Sequence, residues 1–165
     1  MLNINFYPEC DIPRFIEGAE EYKKIWKEDG EKIAEAIMRI SGFKFRADTY
    51  NAIILDNKPS SSYPLILLSS YSHEKKKSTL IHELTHKVLP RNDAMKESEL
   101  ENHKVLDLIL YEIWTDVHGE DFAKIAVEGE KTWSDTYVKA WDYAVSLTKE
   151  QRREEYQKFL IAVGK

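Results

Sequence analysis

Cysteine is almost missing from this chain of 165 residues. Cys10 stands alone, which excludes an intrachain disulfide and any metal site built from thiolates. It also precedes a helix start with no histidine nearby in sequence, so it is not read as a nucleophile. Long apolar runs are missing too. Nothing approaches the roughly 20 residues needed to span a bilayer, and the first six residues alternate apolar and polar side chains where a secretion signal would have an apolar core. Positive charge is not clustered. The net charge is −5 with both signs interspersed, so the surface that a nucleic-acid partner requires is lacking. The one run, Lys75-Lys76-Lys77, reads as the solvated face of a helix start. There is no internal repeat, no low-complexity stretch and no linker long enough to separate a pair of domains. The expectation is therefore a single domain over 1–165, cytoplasmic, with no membrane or nucleic-acid partner. Aromatic residues make up 12% of the chain, enough for a packed core and against disorder.

The order of elements follows from periodicity. Residues 2–7 alternate like a short strand. Asp11 can cap a helix that has Pro13 in its first turn, and Phe15, Ala19, Tyr22 and Trp26 recur at helical spacing. Asp29-Gly30 interrupts, and a second helix carrying Ile33, Ala34, Ile37 and Met38 ends at Gly42. Phe43, Phe45 and Ala47 then alternate with Lys44, Arg46 and Asp48 as a half-buried strand does. Tyr50 to Leu55 and Leu65 to Ser70 read as further strands, joined by a loop rich in Asn, Pro and Ser. From Ser72 onward the pattern is helical, with breaks at Pro90 to Asp93, at Gly119 and over Glu128 to Thr132, and a capping box of Thr148 and Gln151 before the last helix. The fold class is α+β: helices and a small mixed sheet over 1–70, then an active-site helix and a helical half over 72–165.

The chemistry is concentrated in His82-Glu83-Leu84-Thr85-His86. Residues four apart on a helix lie one above the other, so His82 and His86 can aim two imidazole nitrogens at one ion. Glu83 sits about 100° round the helix from His82, where it can reach a water beside that ion without being a ligand. Zinc in such a site acidifies the water, and the carboxylate takes its proton as the water attacks a carbonyl. Ser72 as N-cap with Glu74 in the first turn starts this helix, Pro90 stops it, and Leu80, Ile81, Leu84 and Val88 give it an apolar face.

A zinc site needs a third ligand. Asp93, Glu97, Glu99, Glu101, His103, Asp107, Glu112, Asp116 and His118 follow downstream. The metzincin extension is absent, because Leu89 and Asn92 stand where its Gly and next ligand belong. Glu112 lies in the most apolar stretch of a helix over Glu97 to His118, and a carboxylate there is costly to bury unless it is paired or bound to metal. It is the expected third ligand, with Glu101, three turns back on the same face, as its rival. Asp116, one turn beyond Glu112, can hold a ligand imidazole in the required tautomer. His73 reads as a surface or capping residue, His103 as solvated in a polar stretch, and Trp114 as core.

His82-Glu83-Leu84-Thr85-His86 followed by Glu112-Ile113-Trp114-Thr115-Asp116 resembles the gluzincin metallopeptidases, whose pattern is HExxH and then ExxxD on a following helix. The resemblance spans about residues 65–118, and the short chain is similar to the compact minigluzincins. It implies a zincin-like fold with Zn2+ on His82, His86 and Glu112, Glu83 as general base and Asp116 behind a ligand histidine. Leu65 to Ser70 would be the strand that pairs with an extended peptide or protein substrate. It further implies a Tyr or His that steadies the transition-state oxyanion; Tyr137, Tyr143, His118 and Tyr111 all have the chemistry, and Tyr137 is the residue chosen. The rival reading is a zinc-binding protein of this fold that is inactive or latent and serves in partner binding or regulation.

Overall fold

The computed structural model describes residues 2–90 and 98–165. Asp93 and Glu97, the break over 91–93 and the first turn expected for the Glu97 helix lie outside the described residues. The fold is α+β. Among the described residues three strands and six helices follow one another: β1 (Asn3–Pro8), α1 (Pro13–Ser41), β2 (Thr49–Leu55), β3 (Leu65–Leu68), α2 (His73–Val88), α3 (Glu99–His118), α4 (Glu120–Lys131), α5 (Asp135–Ser146) and α6 (Lys149–Ala162). The chain divides into two compact units, 1–88 and 89–165. The HExxH helix, α2, thus belongs with the sheet and not with the helical half, where the sequence pattern alone groups it.

In the first unit the sheet has the order β1-β2-β3, and both pairings are parallel, not mixed as expected. The 29-residue α1 provides the crossover from β1 to β2, as parallel pairing demands. Asp29-Gly30 does not break it. Gly30 lies inside the helix where an added Cβ would come within 2.6 Å of the Trp26 ring one turn back, so glycine makes room for that ring rather than ending the helix. Phe15, Ala19, Tyr22, Ile25, Ile33 and Ile37 form the buried stripe of α1. Ile12, not Asp11, occupies the cap position, with no side-chain cap bond; Pro13 starts the helix, and Gly42 ends it in the left-handed region at φ 73°. Residues 43–48 form no strand. β1 pairs from Asn3 against Thr49, and the Asn3 amide donates to the Asp48 carbonyl, so the alternating segment before Asp48 has no neighbouring strand to join. Along β2 the side chains of Tyr50, Ala52 and Ile54 are buried, and along β3 those of Leu65 and Leu67.

In the second unit α3 carries a buried face of Leu106, Leu110, Ile113, Trp114 and Val117. Trp114 stacks on Trp141 of α5 at 5.3 Å, and the Trp141 indole N–H donates to Glu130 of α4 at 2.9 Å. Ser98 caps α3 by accepting from the Glu101 amide, and the box of Thr148 and Gln151 caps α6 as expected. No helix among the described residues is long and apolar enough to cross a membrane.

Candidate metal centre

The sequence of α2 makes it a helix buried on most sides: Leu80, Ile81, Leu84 and Val88 are all 2% exposed or less. Ser72 caps it, its hydroxyl accepting from the Lys75 amide. This packing carries the motif residues inward. His82 is 1% and Glu83 4% exposed. The Nε2 atoms of His82 and His86 are 3.1 Å apart, and the rings meet edge to face at 4.9 Å. Two nitrogens each about 2.0–2.1 Å from one tetrahedral zinc would stand about 3.3 Å from each other, so the pair is near the spacing a shared ion needs. Burial pushes His82 down to about 3. At neutral pH its ring is therefore uncharged, the form in which imidazole binds metal.

Glu83 acts electrostatically on Tyr22 of α1. The Tyr22 hydroxyl is held well above the ordinary phenol range, first by burial and further by the charges of Tyr71, Glu21 and Glu83. It stays protonated and donates to the Leu68 carbonyl at the end of β3 at 3.2 Å. Nearer the start of α2, Glu21 holds His73 at 2.9 Å and the buried Lys76, so His73 is tied to a carboxylate and takes no ligand role.

His82, His86 and His103 make a group that can hold a metal ion, each offering one ligand atom, and it is the one such group among the described residues. His103 is 6% exposed, not solvated. On α3 its Nδ1–H donates to the Glu99 carbonyl at 2.8 Å, since a carbonyl can only accept. That bond fixes the tautomer and puts the ring's lone pair on Nε2, the atom a metal would take. Tyr137 of α5 lies against the His103 ring at 4.3 Å and against Trp133 at 4.9 Å. Glu101, Asn102 and Lys104 surround His103 in sequence and disguise its burial. A signal for it is nonetheless present: stepping by three or four, His103 begins the series Leu106, Leu110, Trp114 and Val117, all of which are buried.

Glu112 sits differently from the role expected of it. Its Oε1 accepts from Arg152 at 2.8 Å and its Oε2 pairs with Lys149 at 2.7 Å. Burial alone would raise it, but those hydrogen bonds and charges prevail and hold it below the usual carboxylate range. Arg152 also lies over the Tyr111 ring, and with Lys149 it lines a cleft of about 470 Å³. Asp116 is exposed, as is Glu101, which pairs with Lys104 at 2.8 Å. His118 lies against Phe122 at 4.5 Å.

Asp107 and Glu130 are a second buried acidic feature of this unit, 0% and 2% exposed. Burial, reinforced by the charge of Glu130, holds Asp107 well above the carboxylate range. The unfolded chain releases the Asp107 proton above about pH 3.9, whereas the folded chain keeps it to higher pH. Stability therefore declines as pH rises from about 3.9 toward the folded value. Asp107→Asn removes that penalty. Thermal unfolding is expected to rise by about 2–4 °C at neutral pH for a gain of about 1 kcal/mol, with the gain gone below about pH 4. An equal shift at both pH values would contradict the linkage.

No protein-family model matches the chain, and no curated protein or solved structure matches it.

Proposed function

We propose that this chain is a zinc-dependent metallopeptidase that keeps the HExxH helix of the gluzincins but departs from them in its third ligand, with His82, His86 and His103 as ligands and Glu83 as general base. The observation that carries the reading is the 3.1 Å approach of the His82 and His86 Nε2 atoms on a buried helix turn that also bears Glu83. Three neutral imidazoles are a donor set well suited to zinc. Zinc held there supplies Lewis acidity and an acidified water. Glu83, next to His82 and shielded from solvent, takes the proton from the attacking water and delivers it to the leaving amine nitrogen. Burial keeps His82 unprotonated and so available as a ligand. The Nδ1–H bond to the Glu99 carbonyl fixes the His103 tautomer, leaving the Nε2 lone pair as the donor, and orients its ring. Tyr137, beside the His103 ring, is the proposed donor to the oxyanion. The third-ligand role passes from Glu112 to His103 in this proposal because both Glu112 oxygens are engaged by cations.

The test is metal content together with turnover. One zinc per chain is expected, with cleavage of fluorescein-labelled casein that a chelator abolishes and added zinc restores. Stoichiometric zinc with no cleavage would sink the peptidase reading and favour the zinc-binding, inactive one.

A further inference from the structure

We infer that the segment 57–64 is a strap lying along the outer edge of β3, and that it must leave this edge before an extended peptide can pair there; this rests on the peptidase reading of α2. β3 is an edge strand whose inner side faces β2. In a parallel ladder the backbone groups of alternate residues face opposite sides. Ser69 donates inward to the Leu55 carbonyl at 3.1 Å, and Ile66 turns its N–H and C=O outward. Both outward groups are taken. The Ser60 amide donates to the Ile66 carbonyl at 3.0 Å and the Ile66 amide to the Ser60 carbonyl at 2.9 Å, an antiparallel bridge. The next outward carbonyl, Leu68, accepts from the Tyr22 hydroxyl at 3.2 Å. A peptide adding to this edge would need the Ile66 bonds that Ser60 already makes.

The strap is fastened to the same helix that bears the motif. Lys87, one residue past His86 and 6% exposed, donates to the Ser62 carbonyl at 2.7 Å. Its ammonium also sits 3.4 Å from the Tyr63 ring centroid, and Tyr63 stacks on Tyr50 of β2 at 5.7 Å. Beyond this fastening the strap buries little: Tyr63 is 68% exposed, and Asn57, Lys58 and Ser62 are exposed as well. It is held by a few polar and ring contacts, the composition of a segment that opens locally while the sheet stays folded.

The experiment locks and releases it. Ser60→Cys with Ile66→Cys, in a Cys10→Ser background, places two thiols on a directly opposed hydrogen-bonded pair, about 5.5 Å between Cα atoms and within disulfide range. With Glu83→Gln added to prevent turnover, binding of fluorescein-labelled casein is read by anisotropy in the oxidised and reduced states. If the strap is closed most of the time, its release tightens apparent affinity by the reciprocal of the open fraction. The expectation is binding at least about tenfold tighter when reduced than when oxidised. Lys87→Met in the uncrosslinked chain is expected to tighten binding too, and to speed hydrogen exchange at the Ile66 amide. Equal affinity in both redox states, or no binding in either, overturns the strap. Redox-dependent binding in a chain whose Glu83 form cleaves nothing upholds the strap and sinks only the peptidase reading.

Discussion

Glu83→Gln is expected to keep one zinc per chain and to lower casein turnover by at least about a thousandfold, near the upper end of what a positioned general base contributes. The substitution is chosen for what it preserves. Glu83 is 4% exposed, so a shorter side chain would leave a hole in α2, whereas Gln fills the same volume. It does not bear on the His82–His86 pair, whose 3.1 Å approach is set by the helix repeat and the packing of Leu80, Ile81 and Leu84. What Gln cannot do is accept the water proton. Metal analysis and initial rates on the same preparations separate the two effects. A variant that retains a tenth of the activity removes Glu83 from the base role, and one that loses zinc makes it a structural carboxylate.

The motif helix is legible in the sequence because a four-residue spacing is a purely local property: His82 and His86 share a face in any α-helix, and the cap at Ser72 and the apolar positions around it fix where that helix lies. The α+β class is legible for the same reason. What sequence pattern misplaces depends on partners distant in the chain. Phe43 to Ala47 alternates like a strand, but the register of β1 against β2 starts at Thr49 and leaves it none. Gly30 resembles a helix stop because glycine usually is one; the Trp26 ring that requires it is one turn back, and the demand is visible only in three dimensions. Glu112 does need a partner in its apolar helix, but its partners are Lys149 and Arg152, 37 and 40 residues onward, and nothing local to α3 names them. His103 is misleading when its immediate neighbours are read instead of its helix face. Charged residues on either side say little about a position whose i+3 and i+7 companions are Leu106 and Leu110.

That difference makes the opposed fates of His103 and Glu112 the sharper test of the centre. His103→Ala removes one proposed ligand. If zinc sites of four ligands draw about 10–16 kcal/mol from binding, each ligand accounts for roughly 3 kcal/mol, and zinc affinity is expected to fall about a hundredfold. Glu112→Gln should leave zinc affinity unchanged and instead weaken the helical unit. Arg152 is 8% exposed and would lose its carboxylate partner, an uncompensated buried charge that costs about 2 kcal/mol or more even with one amide oxygen still accepting. That cost has a pH signature. Glu112 is held below its ordinary range by Lys149 and Arg152 against the opposing effect of burial, so its stabilising contribution is complete above the unfolded value of about 4.3 and is lost as pH falls through the lower folded value. The variant and the parent should therefore differ in unfolding temperature at neutral pH and converge in acid. Chelator competition gives the zinc constants, and thermal unfolding across pH gives the stability. If zinc instead leaves Glu112→Gln and stays on His103→Ala, the third ligand is the gluzincin glutamate and the three-histidine assignment falls.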